Sequence, residues 1–266
     1  MLAAVVPVQN EEKRIQKTLE TLLALPAALI IPVINGSSDL SCRIIHDLKS
    51  PHIFPLHYRE TLGIDVPRAI GARTAKIKGA TAVLFLDGDM NGEIEDNLRE
   101  LIRKVEEGAD MALTNCYPAE KTEGLSPLAT KLLHYRRNLN REIGLEQALG
   151  SASPSHGPHA VSSRFLAQVP LVELAIPPVS LALAAKGGLK VCVGTTIPHK
   201  ALGSPAKDAS HSKKIAATII GDCLEAICVY RDKLRSRSSG TVDYDGYHSQ
   251  RRLDLLNKYL NQVEHP

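Results

Sequence analysis

Residues 83–92 read VLFLDGDMNG, four apolar residues running directly into Asp87, Gly88 and Asp89. A short apolar run bounded by turn residues reads as a strand buried on both faces. The aspartates fall at its C-terminal end, where residues two apart in an extended chain point the same way and an intervening glycine lets a ligand approach the backbone. Carboxylates forced together repel, and a divalent cation relieves the repulsion; Mg²⁺ and Mn²⁺ prefer oxygen ligands and bridge readily to a diphosphate. Spacing alone leaves a second reading open, in which one aspartate caps the next helix and the other is solvated. Asp243 and Asp245 repeat the spacing in TVDYDGY with no apolar run ahead of them. The strand context is what favours the cation.

Working outward, further apolar runs lie at 3–8 (AAVVPV), 28–34 (ALIIPVI), 53–56 (IFPL), 82–86 (AVLFL) and 111–114 (MALT). Between them stand helical patterns: Ile15, Leu19, Leu22 and Leu23; Leu40, Ile44, Ile45 and Leu48; Ala69 to Ile77 behind Pro67; Leu98, Leu101, Ile102 and Val105. Apolar strands alternating with helices predict a mostly parallel α/β sheet covered on both faces, which binds ligands at the C-terminal ends of its strands. In the second half, 117–127 and 150–159 read as loops around a helix at 128–149, and 160–167 starts another helix. GLKVCVG at 188–194 reads as a returning strand. Amphipathic patterns at 208–235 and 247–263 predict two closing helices separated by an exposed RSRSSGTVDYDGYH. The division expected is 1–115, 116–207 and a C-terminal helical extension at 208–266.

Composition narrows the classes. With 266 residues, 44% of them apolar, the chain can bury a sizeable core. A formal charge of +3, from 32 basic and 29 acidic residues, gives no global basic field for nucleic acid. Five scattered cysteines without a CxxC pair fit free thiols in a reducing compartment, so a cytoplasmic protein is expected. The N-terminal MLAAVVPVQNEEKR carries no basic leader and too short an apolar run for a membrane span. The closing helices have apolar stripes beyond what a lone appendage needs, which points to a homodimer.

VVPVQNEEKRIQKTLETLLAL, IPVINGSSDLS and GIDVPRAIGARTAKIKGATAVLFLDGDM, in that order, resemble the nucleotide-sugar-binding half of family 2-like GT-A glycosyltransferases. The resemblance is close over 1–115 and looser over 150–205. In that family a first strand ends in Pro-x-x-Asn-Glu-Glu and a second in an Asp-Gly-Ser-x-Asp turn; a basic residue precedes the fourth strand, which ends in Asp-x-Asp. Here these are Pro7 to Glu12, Asn35 to Asp39, Arg68, and Asp87 to Asp89. The resemblance implies a GT-A (Rossmann-like) fold and a metal-dependent transferase. Such an enzyme would use Mg²⁺ or Mn²⁺ to move a sugar from a UDP- or GDP-sugar to a hydroxyl acceptor. It implies that Pro7, Val8, Gln9 and Glu11 wrap the base and ribose beside Asn35, Gly36 and Ser37. Arg68 would stand near the base or diphosphate, Asp87 and Gly88 near the ribose and metal, and Asp89 on the metal. His199, after the returning strand, reads equally as a third metal ligand or a surface histidine. Its neighbour Lys200 reads as a phosphate contact or a solvated side chain. The loop SPSHGPHAVSSRFL resembles the acceptor-side segment, making His156, Gly157, His159 and Arg164 candidates for binding an anionic acceptor such as a phosphorylated small molecule, or else ordinary packing and surface residues. Glu11 and Glu12 also suit favourable charge in a helix's first turn, and Arg68 an exposed position on a helix.

The resemblance breaks where inverting members carry the Glu-Asp pair that deprotonates the acceptor. Pro177 and Pro178 stand there, with Glu173 four residues earlier. This suggests either a retaining transferase, similar to the glucosyl-3-phosphoglycerate synthases, or a nucleotide-sugar-binding or regulatory protein that has lost efficient transfer. Nucleotidyl transfer needs a glycine-rich loop after the first strand, and VPVQNEEKR has no glycine. An aspartyl phosphatase would carry its Asp-x-Asp on the first strand.

Overall fold

A computed structural model describes residues 1–118, 124–205 and 208–262. The sheet is built from β1 (Leu2–Val8), β2 (Leu29–Asn35), β3 (Leu56–Tyr58), β4 (Ala82–Phe85), β5 (Met111–Asn115), β6 (His159–Ser162) and β7 (Val191–Thr196). Their spatial order is β3-β2-β1-β4-β6-β5-β7. β1 pairs in parallel with β2 and β4, and β5 with β7, whereas β6 runs antiparallel to both β4 and β5. The result is a mostly parallel α/β sheet flanked by helices, of the GT-A type.

Strand buriedness follows composition. β1 and β2 are apolar nearly throughout, and alternate residues feed two hydrophobic layers: Ala3, Val5, Ile31 and Val33 on one face, Ala4, Val6, Val8, Ile30 and Ile34 on the other. The second layer is closed by α1 (Ile15–Leu23) and α4 (Glu95–Glu106), whose buried residues recur at helical spacing: Ile15, Leu19 and Leu22 on one, Leu98, Leu101, Ile102 and Val105 on the other. α2 (Ser41–Asp47) follows β2. On the first face, α3 (Val66–Ile77) is buried from Val66 to Ala75 because the sheet lies on one side of it and the C-terminal end of the chain on the other.

Several boundaries differ from the sequence expectation. The third strand is Leu56–Tyr58 rather than 53–56; Ile53 makes only an isolated bridge to Ile30. The helix expected at 128–149 is broken into α5 (Pro127–Glu142) and α6 (Glu146–Leu149). The segment expected to start as a helix at 160 begins instead as β6, inserted between β4 and β5, and only then becomes α7 (Ser163–Gln168). Of the loop expected at 117–127, residues 119–123 lie outside the described residues.

α8 (Pro177–Lys186) and α9 (Ala209–Tyr230) pack against each other, and α9 also packs on α5. The segment expected to be exposed after α9 forms a small hairpin, β8 (Ser238–Ser239) with β9 (Val242–Asp243). Its flanking arginines turn inward: Arg237 reaches buried Asp222 and Glu225, and Arg235 reaches Glu173 and Glu225. Among the described residues of the last segment, only Leu253–Leu260 is α-helical (α10), packed on α3. Apolar residues of α9 and α10, such as Ile219, Ala226 and Leu256, join the same chain's core, which removes the sequence argument for a second subunit. Among the described residues no helix is long and apolar enough to cross a membrane.

Candidate active site

The C-terminal ends of β1, β2 and β4 open into a cleft of about 1010 Å³. It is lined by Pro7, Val8, Gln9, Glu11, Asn35, Arg68, Asp87, Gly88 and Asp89, and also by His156, Gly157, His199 and Lys200. Most residues singled out from the sequence therefore share one cavity.

The turn after β4 is fastened to the end of β1. Gly88 donates its N–H to the Pro7 carbonyl at 3.0 Å, and a β carbon on Gly88 would stand 2.9 Å from that same oxygen. Glycine is thus required for the strand ends to close, a reason beyond ligand access. Asp89 accepts from the Ser204 hydroxyl at 3.2 Å, and the Gly92 N–H meets the Leu202 carbonyl, so the segment after β7 folds against the acidic turn.

Arg68 is buried, 6% exposed, which excludes the exposed-arginine reading. Its Nη2 donates to both Asp87 oxygens at 2.7 and 2.9 Å, while its Nη1 faces Asp65 at 2.9 Å and the Pro154 carbonyl at 3.3 Å. One nitrogen shared by both carboxylate oxygens, with its twin held on Asp65, fixes the orientation of the Asp87 side chain. Asp65 is pushed above the ordinary carboxylate range by burial, against the pull of Arg68 and Arg251.

Asn35 does not simply face a ligand: its Oδ1 accepts from the Leu62 N–H at 2.6 Å and its Nδ2 donates to the Gly63 carbonyl at 3.3 Å, stitching β2 to the loop ahead of α3. Ser37 accepts from the Asn10 N–H, and Ser41 from that of Glu11. Glu11 pairs with Arg14, and Glu12 accepts from the Leu40 N–H, so both acids also hold local structure. Gly36 and Ser37 sit beside the cleft without lining it.

Also in the cleft, His199 Nδ1 lies 3.1 Å from His156 Nε2, and Tyr117 stacks on His199 with ring centroids 5.8 Å apart. Burial and the neighbouring Arg136 push both imidazoles below their ordinary pKa, His156 strongly. Arg136 itself is 1% exposed and finds only the Ser155 hydroxyl at 3.4 Å; among the described residues it has no carboxylate partner. Burial also pushes the nearby Cys116 and Cys223 thiols up to about 12, leaving them unreactive.

Three sequence candidates lie elsewhere. His159 is inside β6, 6% exposed, stacked on Phe85 and absent from the cleft wall, because antiparallel pairing turns it into the sheet's core face. Arg164 follows Ser162, which pairs with Ala82 at the start of β4; it stands at the opposite end of the sheet and contacts Asp110. Glu173 is tied to Arg235, and Pro177 and Pro178 are buried at the start of α8. Sequence reasoning missed Asp65, Tyr117, Ser155, Ser204 and the α9 residues Ser212, Ile215 and Ile219, all of which line the cleft. Only Asp65 carried a signal, three residues before Arg68 at a helix start.

Among the described residues the cleft gathers four carboxylates, those of Glu11, Asp65, Asp87 and Asp89, together with the His156 and His199 imidazoles, with the buried Arg136 behind Ser155. Such a cleft suits a cation held between acids and anionic ligand groups.

Comparison with known proteins finds no match among curated proteins. Among solved structures, the chain is similar to one described as a mycobacterial protein (TM-score 0.61, 14% identity, covering 86% of this chain and 75% of that one). It is also similar to glucosyl-3-phosphoglycerate synthase from Mycobacterium tuberculosis (TM-score 0.58, 15% identity, 94% of this chain and 92% of that one). The same synthase in complex with Mn²⁺, uridine diphosphate and phosphoglyceric acid aligns with TM-score 0.55 at 16% identity, over 84% of this chain and 78% of that one. At such identities these likenesses speak to the fold. The model of glycosyl transferase family 2 matches residues 3–167, more than half of the chain, and the chain belongs to that family.

Proposed function

We propose that the protein transfers a sugar from a nucleotide-diphosphate sugar to a hydroxyl on a small anionic acceptor, with Mg²⁺ or Mn²⁺ as cofactor. The observation that carries this reading is the Asp87-Gly88-Asp89 turn at the mouth of a large cleft, with Asp87 locked by Arg68. The donor set fits a hard or borderline divalent ion: carboxylate oxygens from Asp87 and Asp89 and an imidazole nitrogen from His199. Asp87, Asp89 and His199 do not form a cluster with ligand atoms within 4.8 Å of one another; donors at about 2.1 Å from one ion lie within about 4.2 Å of each other, so holding it with all three requires a side chain here to move. When bound, the ion would neutralise the departing diphosphate. Arg68 orients Asp87 and adds positive charge beneath the same site, an electrostatic contribution to transfer.

Among the described residues, the carboxylates lining the cleft are those of Glu11, Asp65, Asp87 and Asp89, and Glu173 is occupied by Arg235. This supports a retaining transfer in which the leaving diphosphate takes the acceptor proton, as against an inverting one with a carboxylate base. The same absence favours the second reading, a nucleotide-sugar-binding protein without efficient transfer. Calorimetry with UDP- and GDP-sugars plus Mn²⁺, followed by turnover assays with phosphoglycerate as the first acceptor, separates the two. Asp89→Ala is expected to abolish metal-dependent turnover with melting unchanged. Undiminished turnover in that variant refutes the assignment, and binding without any cleavage supports the second reading.

A further inference from the structure

The acidic turn is connected to the C-terminal end of the chain by a line of ion pairs. Asp87 meets Arg68 at 2.7 Å, Arg68 meets Asp65 at 2.9 Å, Asp65 meets Arg251 at 3.0 Å, and Arg251 meets Asp222 at 2.7 Å. The Arg251 side chain is 0% exposed and that of Asp222 1%, so these interactions are little screened by solvent. Arg251 grips both Asp222 oxygens at 2.7 Å and spends its remaining reach on Asp65 and, through Nε, on the Ile64 carbonyl at 3.4 Å. Asp222, Glu225 and His248 gather closely enough to suggest a metal site, but the positive charges among them are the guanidinium groups of Arg237 and Arg251.

Backbone contacts place this arginine deliberately. The Arg252 N–H donates to the Leu62 carbonyl at 2.8 Å, and Gly63 lies so close to the Gln250 carbonyl that any β carbon there would collide with it. Residues 250–252 are therefore laid along the loop that ends in Asp65. Asp65 has φ +64, a left-handed conformation that costs a non-glycine residue roughly 1–2 kcal/mol. Its carboxylate does not cap α3, although it stands at that helix's N-cap; it is held between two guanidinium groups instead.

We propose that Arg251 is a positioning residue for the donor site: it fixes Asp65, Asp65 fixes the Nη1 side of Arg68, and Arg68 thereby presents Nη2 to both oxygens of Asp87. This deepens the proposed function and rests on its reading of the Asp87-Gly88-Asp89 turn. Without Arg251, the buried Asp65 has Arg68 as its remaining cation and either draws the fork toward itself or takes up a proton. In both cases Asp87 loses its fixed angle in the site.

The test compares Arg251→Met and Arg251→Lys with Arg237→Met, which breaks pairs to Asp222 and Glu225 but does not touch Asp65. Arg235→Met serves as comparator if Arg237→Met does not fold, and Arg251→Lys against wild type carries the test if Arg251→Met does not. Melting temperature and the affinity for Mn²⁺ with UDP, by calorimetry well below the melting transition, are read for each. Arg251→Met is expected to bind Mn²⁺–UDP on the order of 10-fold more weakly, as outer-shell partners of metal ligands do, while the comparator loses stability and keeps wild-type affinity. Arg251→Lys, which keeps the charge and loses the fork, recovers part of the affinity. Equal affinities for Arg251→Met and its comparator overturn the positioning role. No Mn²⁺–UDP binding by the wild type overturns the donor-site reading itself, and the proposal with it.

Discussion

His159 converts the fold into a pH dependence of stability. It is 6% exposed, its ring stacks on Phe85 with centroids 4.9 Å apart, and its Nδ1 has no hydrogen-bond partner among the described residues. Burial, reinforced by Arg68, pushes its pKa down to about 3. Above the unfolded-state value of about 6.5 both states are neutral at this residue, and its contribution does not vary. Below it, the unfolded chain takes up a proton that the native state refuses, so stability falls as pH falls, down to the folded pKa. At pH 5 the 1.5-unit interval below 6.5 corresponds to about 2 kcal/mol, at 1.36 kcal/mol per unit. Urea unfolding at pH 7.5 and pH 5, on wild type and on His159→Phe, isolates this share from other titrating groups. The variant keeps an aromatic ring against Phe85 and is expected to lose about 2 kcal/mol less than wild type between the two pH values. Superimposable pH profiles would mean that His159 protonates in the native state, as a residue open to the cleft would, and the buried assignment would fall.

Two other arginine substitutions probe the cleft. Arg68→Leu leaves Asp65 with Arg251 alone and Asp87 partly solvated; breaking a buried pair costs about 3–5 kcal/mol, and the solvent access of Asp87 puts the expectation at the low end, about 3 kcal/mol. A loss below about 1 kcal/mol in chemical denaturation contradicts the buried network. Arg136→Met removes a buried cation that has no carboxylate partner among the described residues, and is expected to leave stability unchanged or raise it by about 1 kcal/mol. A loss above about 3 kcal/mol would show that its single long hydrogen bond to Ser155 understates its pairing.

The donor half was legible because its information is local. β1, β2 and β4 are near-continuous apolar runs, and each ends in a polar turn, so the sequence alone places Pro7, Asn35 and Asp87 at one sheet end. β6 was not legible: HAVS is too short to separate from the helix that follows it, and its antiparallel insertion is a long-range choice made by β4 and β5. That one error moved two site candidates, since His159 turned into the core and Arg164 went to the far end of the sheet. The arginines of RSRSSG looked solvated because their partners, Asp222 and Glu225, lie on the previous helix and are buried only when the chain folds back. Paired charges carry no apolar periodicity, so pattern reading passes over them.

The distribution of charge in the cleft bears on the acceptor within the proposed function. Among the described residues, the carboxylates lining the cleft are those of Glu11, Asp65, Asp87 and Asp89, which a divalent ion and the donor diphosphate would balance. Burial keeps the two cleft imidazoles neutral, so the positive charge there comes from Lys200 and from the buried Arg136 behind Ser155. A neutral sugar acceptor would leave that positive field unused, and Arg136 would remain a cost to stability with nothing to offset it. An acceptor carrying a carboxylate or phosphate would pair with Lys200 and feel the Arg136 charge through Ser155. The field is fixed by a guanidinium that does not titrate, so preference for anionic over neutral acceptors should persist across neutral pH and weaken with added salt only as far as solvent enters the cleft.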